Sequence, residues 1–258
     1  MPPVWRALPA VLAGSLIVAA PAGAAAPSGW QDGVGAARGY AHGRAGTIAF
    51  AVRTSRGLAG EAPGRAFDSA SVTKAMLLAA YLRQREVRRR ALRPADRNLL
   101  TPMIRWSSNR DASRVNHLLG PGALDRLARR AGMTAFTTLP ECWSCSRITA
   151  ADQSRLFLAV DRLLPRRHRA YGMGLLARVV PRQRWGVALA APAGWRLYFK
   201  GGWTRTLDHQ VALLVRGKRR VAVAVLTRGS PSHAYATETL RGVFSRLLRP
   251  LGPRRSPS

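Results

Sequence analysis

The stretch from Phe67 to Leu82, Phe-Asp-Ser-Ala-Ser-Val-Thr-Lys-Ala-Met-Leu-Leu-Ala-Ala-Tyr-Leu, constrains this chain more than any other. It reads as a turn followed by a buried helix that opens at Ser71. Val72, Met76, Ala79, Ala80 and Leu82 recur near helical spacing, and Ser69 and Ser71 are both candidate N-caps. Residues three apart share a helix face, so the Lys74 amine lies beside the Ser71 hydroxyl. A serine hydroxyl is a weak nucleophile at neutral pH and needs a neighbour to take its proton. A lysine can do this only if its pKa falls from about 10.4 toward 7, which is roughly 4 kcal/mol of environment. Burial and a second cation both push it that way. The alternative is a lysine that snorkels from a core helix.

Lysine usage bears on that choice. Of 42 basic residues only Lys74, Lys200 and Lys218 are lysines, and arginine fills the other basic positions. Arginine cannot deprotonate in a protein, whereas lysine can. A lysine kept in so arginine-rich a chain marks a place where a titratable amine is wanted.

The chain opens as a secretory signal peptide, expected over residues 1–26: Arg6, an apolar run from Ala7 to Ala20, and small-x-small cleavage sites at Ala22-Gly23-Ala24 and Ala24-Ala25-Ala26. The run is too short to span a bilayer comfortably, and no other stretch is long and apolar enough to do so. No cysteine flanks the cleavage region for a lipid anchor, and no twin arginine is present. Export to the extracytoplasmic space follows as the expectation. The mature chain, 27–258, suffices for one catalytic domain of two lobes sharing a core. Pro250 to Ser258 reads as a frayed tail.

The formal charge of +30 is extreme. It is spread along the chain rather than gathered in a stripe, and few aromatics interleave with it, so no nucleic-acid partner is expected. Electrostatic attraction to anionic envelope polymers is the milder functional reading. Cys142 and Cys145 form Cys-Trp-Ser-Cys in a loop. The sequence leaves open whether they pair, since so tight a ring is often reducible. A redox motif would need a strand-to-helix setting. His42, His117, His168, His209 and His233 are too scattered for a metal site, and no metal or cofactor is expected. A monomer is the default.

Along the chain, residues 27–45 read as a polar, Gly-rich opening segment. Thr47–Val52 reads as a strand, residues 53–63 as a hairpin connection, and Arg65–Phe67 as a short strand. The Ser71 helix runs to about Arg85. Helices are expected over Ala95–Ile104, Arg110–Leu119 and Ala123–Ala131, stopped by Gly120-Pro121-Gly122 and by Gly132. Residues 133–148 form a loop. A helix capped by Thr149 follows, running through Phe157, Leu158, Val160, Leu163 and Leu164, and another spans Arg169–Val179. Three strands then appear, Leu197–Phe199, His209–Val215 and Val221–Thr227, with Gly217-Lys218 at the last turn, and Ser232–Leu248 closes the chain as a helix. This is an α+β layout: an antiparallel sheet from the N- and C-terminal segments, flanked by helices, with an all-α lobe inserted. The α/β part is expected at about 46–85 and 184–248, and the helical lobe at about 86–183.

Three stretches line up in this order: Ser71-Val72-Thr73-Lys74 at a helix start, Trp106-Ser107-Ser108-Asn109 between two helices, and Phe199-Lys200-Gly201-Gly202-Trp203-Thr204 at a strand end. Together they resemble the serine penicillin-recognising enzymes, in particular class A β-lactamases and related serine hydrolases of the β-lactamase/transpeptidase-like fold. Met103-Ile104 before the second stretch and Asn116-His117-Leu118-Leu119 after it share the likeness, which covers about residues 46–248. The resemblance implies an acyl-enzyme mechanism with Ser71 as nucleophile and Lys74 as its base or proton relay. It implies Ser107 as the donor to the leaving nitrogen, and Lys200 as positive charge for a substrate carboxylate that also helps depress Lys74. Asn109 would hold the substrate amide, Thr204 would contact the carboxylate, and the backbone N–H groups of Ser71 and Trp203, beside Gly202, would form an oxyanion hole.

The departures from the pattern bear on turnover. Ser108 stands where those enzymes carry Asp, and Gly201 where a hydroxyl residue is usual. The insert between the first two motifs is shorter. The deacylation motif Glu-x-x-Leu-Asn is not recognisable. Glu141 is the one acid in residues 133–148 and the candidate deacylation base, with a solvated loop residue as the alternative. The implied activity is exported serine hydrolysis, with β-lactam ring opening the nearest named reaction. The alternatives are a penicillin-binding DD-peptidase or an esterase-like hydrolase without efficient β-lactam turnover, and a non-catalytic relative that binds cell-wall fragments.

Overall fold

The computed structural model describes residues 29–139 and 141–252. The expected signal peptide lies outside the described residues. The chain runs α1 (Gln31–His42), β1 (Thr47–Thr54), β2 (Gly57–Glu61), β3 (Ala66–Asp68), a 3-10 turn at Ala70–Thr73, and α2 (Lys74–Arg83). Helices α3 (Arg85–Arg88), α4 (Pro94–Arg105), α5 (Asn109–Leu119) and α6 (Ala123–Arg130) follow. Then come β4 (Arg147–Thr149), α7 (Ala150–Leu158), α8 (Val160–Leu163), α9 (Arg169–Ala177) and α10 (Val187–Ala190). The antiparallel strands β5 (Arg196–Trp203), β6 (Leu207–Arg216) and β7 (Arg219–Arg228) precede the final helix α11 (His233–Leu248).

The main sheet has the order β2-β1-β7-β6-β5, antiparallel throughout. It brings the N-terminal hairpin against the C-terminal meander, an α+β architecture of antiparallel sheet flanked by helices. Strands β6 and β7 are buried along nearly their whole length, because both faces of the sheet are covered. The two-residue side-chain period then sorts residues between two cores. Phe50, Val52, Leu214, Val223 and Val225 meet α1 and α11. Ala49, Ala51, Val211, Leu213, Ala224 and Leu226 meet the other helices.

Helix α2 is apolar on every side, with Lys74 through Leu82 all buried, so it takes the centre of the helical layer among α4, α5, α6 and α9. Truncating a side chain such as Leu77 there would cost about 2–5 kcal/mol. The helix opens later than expected: Ala70–Thr73 is 3-10, and neither Ser69 nor Ser71 caps it. Both hydroxyls have other partners. Ser71 takes the Lys74 amine, and Ser69 reaches the carbonyls of Trp143 and Ser144.

Several sequence readings change. Residues 27–45 were expected to be an opening segment, yet residues 31–42 form α1, whose Val34, Ala37 and Ala41 pack on α11. Small residues allow that close approach, and Gly33, Gly35 and Gly39 weaken the helical signal. The 53–63 connection contains β2, a Gly-Leu-Ala-Gly-Glu strand without a β-branched residue. The helix after Thr149 breaks at Ala159 into α7 and α8. Residues Arg147–Thr149 leave the loop to pair with β3. In the tail, Arg249–Leu251 is a 3-10 turn whose Leu251 carbonyl accepts from the Trp195 indole, and it is not frayed. Residues 253–258 lie outside the described residues.

Candidate active site

The cleft lies where edge strand β5 passes the start of α2 and the α4–α5 connection. Local backbone fixes its first residues. Ala70, immediately before Ser71, has φ 44°, and Ser107 has φ 61°. Both are left-handed conformations that cost a non-glycine residue about 1–3 kcal/mol and persist only where surrounding structure enforces them. The Ala70 turn lifts Ser71 out of the strand direction of β3. The Ser107 turn aims its hydroxyl between two amines. Ser108 caps α5, its Oγ accepting the Asp111 N–H at 3.3 Å, a task an aspartate could also perform.

The Lys74 ammonium is fully buried and donates to Ser71 Oγ at 2.9 Å, to the Ser107 carbonyl at 2.5 Å and Oγ at 3.2 Å, and to Asn109 Oδ1 at 2.7 Å. Lys200, also buried, donates to Ser107 Oγ at 3.0 Å and to the Gly201 carbonyl at 2.6 Å. Ser107 Oγ therefore bridges both lysines. Burial brings Lys74 down to about 7, opposed by the Asp111 carboxylate. Lys200 is held well below the usual lysine range, by burial first and by the Lys74 charge second. For Lys74 the leading cause is its enclosure, and the two amines, bridged by Ser107 Oγ, repel one another when both are charged.

Gly202 shows how tightly β5 passes. A Cβ there would stand 2.6 Å from the Ser71 backbone nitrogen and 2.8 Å from that of Val72. Only glycine permits this approach, and it brings Trp203 alongside Ser71. As an edge strand, β5 also has N–H groups without a sheet partner on that side. At Gly201 an added Cβ would lie 3.5 Å from Trp185, so the missing hydroxyl leaves the indole as the nearest surface.

The resulting open cleft holds about 570 Å³ and is lined by residues including Ser71, Asn109, His117, Trp143, Trp203 and Thr204. The Thr204 hydroxyl accepts the Thr206 and Leu207 N–H groups and so holds the β5–β6 turn. Glu141 lines the same cleft but is solvent-exposed. Among the described residues, no carboxylate is hydrogen-bonded to Lys74 or Ser71. The side of Lys74 toward the loop is instead faced by the Trp143 ring, 5.0 Å from Nζ. At the far end His233 Nδ1 meets Asp208 Oδ1 at 2.6 Å beside the rings of Trp185 and Trp203. Burial lifts Asp208 to about 6 against the opposing pull of His233.

The structure thus gathers Ser71, Lys74, Ser107, Asn109 and Lys200 into one hydrogen-bonded cluster, with Gly202, Trp203 and Thr204 on its wall and Glu141 at its rim. Sequence reading missed Trp143, Asp208 and His233. The first depends on a loop folding back and the other two on the start of α11 meeting β6, and none carries a local spacing signal. Buried His209 is accounted for structurally. Its Nε2 bonds the Asp68 carbonyl and its Nδ1 accepts the Thr227 N–H, and burial lowers it to about 4.

Residues 90–249 match the beta-lactamase enzyme family. The chain belongs to that family. The matched span includes Ser107, Asn109 and Lys200 and begins after Ser71 and Lys74. Among solved structures, the beta-lactamase from Sphaerobacter thermophilus is 19% identical with a TM-score of 0.72, covering 84% of this chain and 96% of its own. The class A beta-lactamase from Mycobacterium abscessus is also 19% identical, with a TM-score of 0.71 over 84% and 98% of the two chains. PBP-A is 15% identical with a TM-score of 0.70 over 83% and 95%. At these identities the likeness establishes the fold. No curated protein sequence matches this beta-lactamase-family chain. Among its described residues, no helix is long and apolar enough to cross a membrane.

Proposed function

We propose that this protein is an exported active-site-serine hydrolase that works through an acyl-enzyme on Ser71, with β-lactam ring opening as its nearest activity. The observation that carries the reading is the Lys74 amine, 2.9 Å from Ser71 Oγ and brought to about 7 by burial. At neutral pH a large fraction of it is uncharged and able to accept the hydroxyl proton. Residues 27–258 form one catalytic unit, and residues 1–26 direct export.

In this mechanism Ser71 Oγ attacks the acyl carbon while its proton passes to Lys74 Nζ. The carbonyl oxygen, now anionic, is held by the Ser71 and Trp203 N–H groups. Loss of one such donor costs roughly 3–4 kcal/mol in comparable sites. Ser107 Oγ, bonded to both lysines, gives its proton to the leaving nitrogen and is reprotonated from Lys74. Asn109, whose Oδ1 engages Lys74, turns its amide N–H₂ toward the substrate. Lys200 supplies the positive field for a substrate carboxylate.

A second reading concerns lifetime. Trp143, rather than a carboxylate, covers Lys74 on the loop side, which favours an acyl-enzyme that persists, as in a DD-peptidase or esterase-like relative without efficient β-lactam turnover. Intact-protein mass spectrometry after mixing with a penicillin separates these, with Ser71→Ala in parallel. A mass gain in wild type that decays supports β-lactam hydrolysis. A gain that persists supports the second reading. No gain in either protein removes β-lactam acylation and leaves a hydrolase for other acyl groups or a cell-wall-fragment binding relative, which an ester-substrate screen separates.

A further inference from the structure

We propose that Trp143 is a positioning residue for Lys74: the Cys142–Cys145 ring pins its indole over the amine and closes the water-facing side of the Ser71–Lys74 pair. The inference rests on the acyl-enzyme reading only for its kinetic consequence.

Four observations converge on Trp143. Its ring centroid stands 5.0 Å from Lys74 Nζ, with the amine over the ring face and hydrogen-bonded to Ser71, Ser107 and Asn109. Its Nε1–H donates to Ser113 Oγ on α5 at 3.2 Å, fixing the ring's rotation. The turn that carries it is closed covalently by the Cys142–Cys145 disulfide and by the Cys145 N–H donating to the Cys142 carbonyl at 2.9 Å. That turn is also tied to the segment just before the nucleophile. The Ser69 N–H donates to the Ser146 carbonyl at 2.8 Å, and Ser69 Oγ lies 3.1 Å from the Ser144 carbonyl. A loop tied by both bonds to Ser69 and by the indole to Ser113 has a defined place relative to Ser71 and Lys74.

Two opposite effects are open to an indole in this position. Its π-face attracts a cation, which favours the ammonium. Its bulk keeps water from the amine, which favours the neutral form. The partners of Lys74 on its other sides are a hydroxyl pair, a carbonyl and an amide oxygen, which already satisfy the ammonium. Lys74 nonetheless falls well below the ordinary lysine range, and burial is its leading cause. The effect assigned to the cover is exclusion of water, which acts in the same direction as the burial that lowers Lys74. The charged and titratable groups that face Lys74 are Lys200 across Ser107 from β5 and Asp111 on α5. His117 and Glu141 stand on the cleft wall.

The test exploits the lysine count. With only three lysines, a chain labelled with ¹³C at lysine Cε gives three side-chain signals, and Lys218→Arg and Lys200→Arg assign them. The pH titration of the Lys74 signal is read in wild type, Trp143→Phe, Trp143→Ala and the Cys142→Ser/Cys145→Ser double variant, each with the acylation rate of Ser71 by a fluorescent penicillin. Trp143→Ala is expected to move the Lys74 titration upward by a unit or more. Acylation at pH 7 should slow roughly five-fold as the neutral fraction falls, with rates converging above pH 9. Trp143→Phe, which keeps a flat apolar cover, is expected to stay close to wild type. An unchanged or downward titration in Trp143→Ala, or equal shifts in the Phe and Ala variants, overturns the assignment. The double variant keeps the indole and removes only the covalent ring. A smaller upward shift supports the pinning role of the disulfide and none overturns that part. If Trp143→Ala does not fold, Trp143→Leu, a smaller cover, takes its place with an upward shift expected and an unchanged titration overturning the assignment. Because the amine is read without an acyl donor, failure to acylate would count against the proposed function and leave this result standing.

Discussion

At Lys74 a side chain that is ordinarily the most hydrated in the protein is surrounded by oxygens and an indole. Those oxygens favour its charge and its burial opposes it, and burial wins by enough to bring the amine to about 7. The rate of Ser71 acylation should therefore rise as pH increases through 7 and level off once Lys74 is neutral. Lys74→Arg keeps a charge at the site and removes the ability to deprotonate. It should lower acylation by about 10²–10⁴-fold and abolish that rise. Stopped-flow labelling with a fluorescent penicillin across pH 5–9 checks both, and an arginine variant with a near-wild-type rate would assign Lys74 a purely electrostatic role. Gly202 makes a second residue-scale prediction. A methyl in place of its α-hydrogen would stand 2.6 Å from the Ser71 nitrogen, and that contact is backbone, which cannot turn aside. Gly202→Ala should cut acylation by at least about 10²-fold through the displaced oxyanion donors. Circular dichroism should remain native, since β5 can shift at its free edge. At this scale the Ser71–Lys74 pair was legible because i,i+3 spacing is a local property. The meeting of Ser107 and Lys200 with it was read from resemblance, since no spacing within one element brings them there.

Among the elements, α4 carries its own acid-labile lock. Asp96, in the helix's first turn and only 3% exposed, accepts from Arg90 at 2.5 Å, from the Tyr81 hydroxyl at 2.8 Å and from the Arg93 N–H at 2.6 Å. The Arg90 bond is the largest of the effects that hold its carboxyl at about 2. A carboxyl lowered in the folded state stabilises the fold above its unfolded pKa, and that contribution fades as pH falls through the folded value. The window here is from about pH 4 down to about pH 2, and the shift corresponds to roughly 2 kcal/mol. Asp96→Asn should lower stability by about that amount at pH 7 and flatten the acid limb between pH 4 and 2. Urea unfolding at a series of pH values reads both effects. An Asn variant as stable as wild type at pH 7 would reduce the cluster to a surface contact. The same element scale explains what sequence could not announce. Helix α1 carries three glycines and strand β2 consists largely of Gly and Ala; their small volume lets these elements pack on α11 and β1, while glycine weakens the helical signal and Gly and Ala weaken the strand signal. The Cys142–Ser146 turn has no periodicity at all, and its position is set by Ser69 and Ser113, which are distant in sequence.

Taken whole, the molecule sets 42 basic side chains against 12 acidic ones. Among the described residues Glu61, Asp68, Asp96, Asp152, Asp161 and Glu238 each pair with one or two arginines, and with so few acids most guanidinium groups go without a carboxylate partner. Arg83 illustrates the consequence, since burial and the neighbouring Arg130 and Arg88 charges all depress it. Two long-range effects compete when salt is added. Screening weakens the ion pairs, each worth only about 0–1 kcal/mol at the surface, and it also weakens the repulsion summed over an excess of 30 charges. The Debye length shrinks from about 30 Å at 0.01 M to about 10 Å at 0.1 M, a change that spans the whole domain but barely reaches within a contact pair. Repulsion, being the longer-ranged sum, is relieved first. The melting temperature should therefore rise by several degrees as sodium chloride increases from 0.01 to 0.3 M, opposite to a fold held by surface ion pairs. Over the same range, retention on an anionic polymer matrix should fall steeply, with Ser71 acylation at pH 7 changing little because its cluster is enclosed. Differential scanning calorimetry and column retention at matched pH read the two. A melting temperature that falls with salt would place the arginines in favourable pairs, and retention insensitive to salt would remove charge as the basis for attraction to envelope polymers.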